Sequence, residues 1–379
     1  MRKSLQKNGA SLQVYIHVPF CHAKCAYCDF YSTPRAELME RWADALLAEW
    51  ERRVGRRGFV PQTVYLGGGT PSSLPVELLD RILHTITPAS ELREFTIEAN
   101  PEDVTAGWVD FIKNHTSIDR VSMGVQSLDD SQLAFIGRRH TAREAIDAYN
   151  RLRDGGIEKI SLDLIYGLPG QTLDSWKLSL DTLLSLRPEH LSAYLLSYEP
   201  RTRLGVMLDK GRVTEASEEL VTQMYGYLCE ATREAGYSHY EISNFALPGC
   251  EAVHNSGYWN STPYIGLGPG AHSFVDGRRG ANPPNLHDYI LKNGDVYAVE
   301  DETDTERLND LVITALRTSR GLDLWEIETR FPGLAVEFKS SAQKLIDAGE
   351  LMPNHLGHLV IPEDKWLISN SILLKLIMI

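Results

Sequence analysis

At 379 residues the chain exceeds one ordinary domain, and its 43% apolar content is enough to bury a barrel-sized core with an appendage. The 51 acidic against 38 basic residues leave a net charge of −13, which argues against nonspecific binding to nucleic acid. Five cysteines, three of them clustered, make no disulfide scaffold, and no apolar run is long enough to span a membrane.

The N-terminus is short and polar, without a signal-peptide core, so the cytoplasm is the expected compartment. Beyond it, short β-rich runs alternate with stretches of helical period, the pattern of a parallel sheet built from βα units. Strands are expected at 13–19, 62–68, 94–99, 120–125, 160–165 and 190–196. Helices are expected near 35–54, 75–87, 105–115, 129–154 (in two pieces), 172–186 and 215–235. Six such repeats fit an α/β fold, an incomplete (β/α)6 TIM-like barrel, in which chemistry gathers at the C-terminal ends of the strands.

The strand ends carry the chemistry. After the first strand stand Cys21, Cys25 and Cys28 in a C-x3-C-x2-C array. Three soft thiolates on so short a loop can hold one iron–sulfur cube and leave one iron without a protein ligand. A zinc knuckle is the bland alternative, although structural zinc wants four ligands. The second strand runs into Gly67-Gly68-Gly69-Thr70-Pro71, where glycines allow close backbone approach to a ligand or simply make a tight turn. Glu98 and Gln126 end the next two strands, and Arg138 supplies a fork for a carboxylate; each alone could equally be structural. Asp163 stands in an otherwise apolar strand and therefore needs a partner. Thr172 reads as an N-cap, and Ser197 and Tyr198 should close the cleft after strand six.

Residues 237–274 hold a second informative stretch, His254-Asn255-Ser256-Gly257-Tyr258-Trp259, with Cys250 just before it and His272 after it, the latter expected near the cofactor cleft. Cys229 reads as helix core, and Cys250 as inert packing or a second ligand. The glycine, proline and charge of 276–284 read as a linker or connecting loop, and the chain is expected to divide into a core at 1–280 and a small unit at 281–379. In the latter, helices at 304–318, 323–331 and 335–349 precede a hairpin at 350–361 with Gly357 in its turn, a winged-helix-like order. The 13 acidic and 8 basic residues of 301–379 disfavour nucleic acid. A packed final helix is expected from 366 to 379, with contact to a membrane surface as the open alternative.

The cysteine array with Tyr27 before its third member resembles the radical S-adenosylmethionine (SAM) superfamily. The strand Tyr15-Ile-His-Val-Pro-Phe and the later motifs resemble the branch that contains oxygen-independent coproporphyrinogen III oxidase and the HemW-type haem chaperone. The resemblance implies a [4Fe-4S] cluster on Cys21, Cys25 and Cys28, with SAM on its open iron and a 5′-deoxyadenosyl radical as the product of reductive cleavage. It implies SAM contacts from Tyr15, Tyr27, Gly68, Gly69, Thr70, Glu98, Gln126, Arg138 and Asp163. It further implies haem binding at His254, Asn255, Tyr258 and Trp259, where an imidazole can ligate iron and aromatic rings can pack on a porphyrin; a histidine capping a turn against a Tyr-Trp core pair is the competing reading. Two departures set the chain apart from the oxidase: Phe30 stands where the oxidase continues to a fourth cysteine, and only twenty residues precede Cys21. Both are similar to the chaperone, which implies haem-accepting proteins and an electron donor as partners and no catalytic residues, with the oxidase as the rival.

Overall fold

The structure, a computed structural model, describes residues 12–86 and 92–378. Six parallel strands form its centre: β1 (Leu12–Val18), β2 (Pro61–Gly68), β3 (Glu94–Ala99), β4 (Arg120–Gln126), β5 (Lys159–Tyr166) and β6 (His190–Leu195). Helices α1 (Met39–Arg53), α2 (Val76–Ile86), α3 (Ala106–His115), α4 (Asp130–Ile136), α5 (Ala142–Asp154) and α6 (Leu173–Leu186) connect them in turn. Each helix buries one stripe. On α2 it is Leu78, Leu79, Ile82, Leu83 and Ile86, and the polar residues face outward. The side chain of Thr172 caps α6 in a reciprocal box with Ser175.

After β6 the chain adds α7 (Arg203–Asp209), α8 (Glu218–Glu234), the hairpin strands β7 (Ser238–Glu241) and β8 (Asn244–Ala246), and α9 (Val253–Trp259). Then come β9 (Tyr264–Leu267), β10 (His272–Val275), β11 (Arg278–Ala281), α10 (Leu286–Leu291) and β12 (Ala298–Val299). These strands extend both edges, giving one twelve-stranded sheet in the order β12-β11-β10-β9-β1-β2-β3-β4-β5-β6-β8-β7. The linker expected at 276–284 is therefore corrected. Asp276 and Gly277, both at positive φ, form the turn of the β10–β11 hairpin, and β11 pairs antiparallel with β12. The division expected between 280 and 281 falls inside β11.

One buried carboxylate fastens this extension to the barrel wall. Glu49 on α1 accepts hydrogen bonds from Arg53 Nη1 and Asn282 Nδ2 at 2.9 Å on one oxygen, and from Gly268 N–H (2.9 Å) and Tyr289 O–H (2.7 Å) on the other. Four donors satisfy a charge that would otherwise be costly to bury.

The C-terminal unit holds α11 (Asp304–Ala315), α12 (Leu324–Arg330), α13 (Ala335–Asp347), the short hairpin β13 (Met352–Pro353) and β14 (Leu359–Val360), a 3-10 turn at Glu363–Ile368, and α14 (Ser369–Leu373). Gly357 sits at φ 78 in the hairpin turn, as its position suggests. The last helix and the turn after it are packed: Ile372, Leu373 and Leu376 are buried in a core continuous with that of the barrel. Among the described residues no helix is long and apolar enough to cross a membrane.

Candidate functional site

The loop after β1 is held closed by its own backbone. Thr33 N–H donates to Pro19 O (2.8 Å) and Cys21 N–H to Thr33 O (3.1 Å). On its far side Ala26 N–H donates to Ile136 O, and Leu204 N–H donates to Ala26 O, both at 2.8 Å, which pins the loop to the end of α4 and the start of α7. Ala26 and Tyr27 pack there on Ile136, Ile165 and Leu204. The result is one cavity of about 380 Å³ at the C-terminal mouth of the barrel. Cys21, Cys25 and Cys28 line it together with Tyr27, Gly68, Gly69, Thr70, Glu98, Gln126, Arg138 and Asp163. Tyr15 lies outside that lining. Its hydroxyl pairs with His17 Nδ1 at 3.1 Å and its ring leans on Tyr65, deeper in the barrel.

Local backbone chemistry explains the placements. A Cβ on Gly69 would stand 2.4 Å from Phe20 O, and one on Gly68, at φ +107, would stand 2.5 Å from the His17 ring. Only glycines let the β2 loop lie against the cysteine loop. Thr70 then donates its hydroxyl to Cys21 Sγ at 3.2 Å. Helix α4 stops at Gly137 in the left-handed region, and the next residue, Arg138, points at Cys25 with Nη1 3.7 Å from Sγ. Arg138 Nη2 donates to Asn100 Oδ1 and Gly124 O, both at 2.7 Å, whereas Nε is buried without a partner among the described residues. Gln126 takes φ 68 where the β4–β5 register slips, a strained conformation of the kind that clusters at ligand sites.

Two carboxyls face the same cavity. Glu98 accepts from Tyr65 O–H (2.8 Å) and Gly68 N–H (3.0 Å), yet burial pushes it up to about 7. Asp163 accepts from Ser122 O–H at 3.4 Å, and burial pushes it up to about 6. Arg120 opposes both shifts from within the barrel; it is itself buried, with Nη1 unpaired among the described residues. The set fits a [4Fe-4S] cluster with SAM. Three thiols open on one cavity, a guanidinium nitrogen lacks an acceptor among the described residues, and two carboxyls stay raised despite their hydroxyl donors, so that a bound cation or further donors would favour their ionised form.

The folded state keeps a proton on Glu98 between its ordinary value, 4.5, and about 7. Ligand-free stability from this group is full below the lower value and is lost as the pH rises through the upper one. Glu98→Gln should therefore gain on wild type as pH rises. Thermal melting from pH 5 to 8 checks this: the gap should widen with pH, and a constant gap would mean that the carboxyl titrates in its usual range.

The second motif lies at the opposite end of the barrel. Glu94, at the start of β3, accepts from the N–H groups of Val253 and His254 (2.8 and 2.9 Å), which seats the N-terminus of α9 on the barrel floor. His254 is fully buried there. Its Nδ1 pairs with Thr63 Oγ1 and its Nε2 with Tyr258 Oη, both at 2.8 Å, and its ring lies 5.2 Å from that of Tyr65. Burial pushes its pKa down to about 3. Asn255, Tyr258 and Trp259 are half-buried along the same helix. The structure thus brings the four residues together on α9, but with the imidazole enclosed. Cys250 sits in a turn at Leu247 O and belongs to no group of three metal-ligating side chains among the described residues. His272 is corrected: it is exposed on β10, in a separate surface cleft with Tyr31 and Pro283.

A family model described as the radical SAM superfamily matches residues 15–183. The haem chaperone HemW of Bacillus subtilis strain 168 is 38% identical over 318 residues, which cover 81% of this chain and 84% of that protein. The chain belongs to the HemW family of the radical SAM superfamily. A second HemW, from Lactococcus lactis, is 33% identical over 333 residues, or 86% of each chain. Coproporphyrinogen III oxidase (HemN) from Escherichia coli, a radical SAM enzyme, superposes with a TM-score of 0.81 over 97% of this chain and 90% of its own. At 21% identity that likeness shows the shared fold.

Several lining residues of this HemW-family site were not singled out from the sequence: Asn100, Ser122, Gly124, Tyr194 and Glu199. Their signal was present. Ser122 and Gly124 precede Gln126 on β4 at alternate positions, which by alternation share one face.

Proposed function

We propose that this chain is a haem chaperone, which takes up haem and passes it to acceptor proteins. What carries the reading is kinship with HemW proteins at 33–38% identity over most of both chains, together with Phe30 in place of a fourth cysteine. Cys21, Cys25 and Cys28 would hold the cluster. Arg138 and Gln126 would orient the amino-acid end of SAM, Asp163 its ribose hydroxyls, and Glu98 its cationic end. When bound, the pair supplies one-electron cleavage chemistry at the open iron. The glycine loop, Tyr27 and the strand-six end line that cavity. Such a cluster needs an electron donor and a reducing compartment, for which the cytoplasm serves.

On this reading haem would sit on α9. Trp259 lines two cavities, of about 130 and 330 Å³, between α9 and the C-terminal unit, the smaller with Tyr258 and Tyr264 and the larger with Tyr240 and His358. His254 can offer Nε2 to iron only after its bond to Tyr258 breaks, while Nδ1 could keep its bond to Thr63, so uptake would open the barrel floor on the Tyr258 side. The test is an anaerobic titration of the cluster-loaded protein with haem. One haem per chain should bind with a Soret band and then move to an added apo-globin. Stable haem binding without transfer, or none at all, contradicts the reading.

A further inference from the structure

Cys229 is not alone in the folded chain. One donor atom each from Cys229, His239 and Glu363 lie within 4.8 Å of one another. They come from α8, from β7, and from the 3-10 turn that follows the C-terminal hairpin. His239 Nδ1 is 3.3 Å from Glu363 Oε1, whereas its Nε2 is buried with no partner among the described residues. The imidazole is 5% exposed and fixed in place, stacked on Phe245 with ring centroids 4.1 Å apart and edge-on to Trp366 at 4.4 Å. Tyr225, one turn before Cys229, hydrogen-bonds to the thiol and reaches the Glu363 carbonyl at 3.5 Å. A thiol, an imidazole and a carboxylate converging from three separate elements are an arrangement that one metal ion would satisfy.

We propose that Cys229, His239 and Glu363 form a zinc site that ties the C-terminal unit to the edge of the barrel. Sulfur, imidazole and carboxylate are the ligand set zinc accepts, and the thiol disfavours magnesium and calcium. Tetrahedral zinc separates its donors by about 3.3–3.8 Å, so side-chain adjustments of about 1 Å close the set. Glu363, 48% exposed, leaves the fourth position open to water. Zinc binding replaces the Cys229 S–H bond with a sulfur–zinc bond and releases the proton to solvent. Because binding releases that proton, occupancy should fall as the pH is lowered.

The test uses the full chain with its cluster loaded anaerobically, exposed to zinc sulfate and desalted. Metal analysis should find one zinc per chain, and zinc-edge X-ray absorption should find one sulfur among nitrogen and oxygen ligands. Cys229→Ser and His239→Gln should each lower retained zinc at least tenfold with the iron content unchanged. Glu363→Gln, at an exposed side chain that does not threaten folding, should weaken zinc at least tenfold against a chromophoric chelator. The site is overturned if wild type retains no zinc, if zinc appears with three sulfurs as at the cluster cysteines, or if Cys229→Ser or Glu363→Gln holds zinc as tightly as wild type does.

Discussion

Cys21→Ala is expected to abolish the iron–sulfur absorbance of the anaerobically reconstituted protein and to weaken SAM binding at least a hundredfold. The three sulfurs share one cavity wall, and a cube left with two protein ligands and two open irons is held by neither geometry nor charge. Thr70 donates to Cys21 Sγ, so the substitution also frees that hydroxyl and slackens the contact between the two loops. The fold should survive, because the loop is closed by backbone bonds at Thr33, Ile136 and Leu204 that do not involve the sulfur. Iron content, SAM binding by equilibrium dialysis and circular dichroism on one sample check all three points. Four irons retained per chain would mean that the array has been misread.

His254→Ala should cost about 3–5 kcal/mol of stability as well as haem. The side chain is fully enclosed, and its loss opens a cavity and leaves the Thr63 and Tyr258 hydroxyls unpaired on the barrel floor. Loss of haem binding in that variant alone would therefore confuse ligation with unfolding. Tyr258→Phe separates the two. It removes only the bond at Nε2, costs about 1 kcal/mol, and lowers the barrier to exposing the imidazole. If His254 takes the iron, Tyr258→Phe should capture haem several times faster than wild type, as followed by stopped-flow Soret absorbance, while urea unfolding reports the stability cost. Unchanged capture kinetics in Tyr258→Phe with haem binding intact in His254→Ala would place the ligand elsewhere.

Much of this was legible in the sequence because the strands of a parallel barrel are apolar and end in the residues that do the work. The six core strands lie where alternation of apolar runs and helical stretches put them, within a residue or so at each end. The cavity drew on signals that were weak singly and informative together: a buried acid in an apolar strand (Asp163), a glycine run that brings Gly68 and Gly69 to the lining, and clustered thiols. What was not legible depends on pairing partners far away in the chain. The edge strands β7 to β12 are 2–4 residues long, too short for periodicity, and they exist only because β1 and β6 offer unpaired edges. Tyr15 shares β1 with the motif, but the neighbouring His17 takes its hydroxyl. The burial of His254 could not be read from its motif, because it is set by Glu94 and Thr63 on two other strands. The grouping of Cys229 with His239 and Glu363 likewise appears only once the C-terminal unit folds back on α8.

The most direct measurement is to incubate the reduced, cluster-loaded protein with SAM and coproporphyrinogen III in the absence of oxygen, alongside a haem titration of the same preparation. A haem chaperone should bind one haem per chain and leave all of the porphyrinogen propionates intact. Decarboxylated product accumulating in step with 5′-deoxyadenosine, from a protein that takes up no haem, would contradict it.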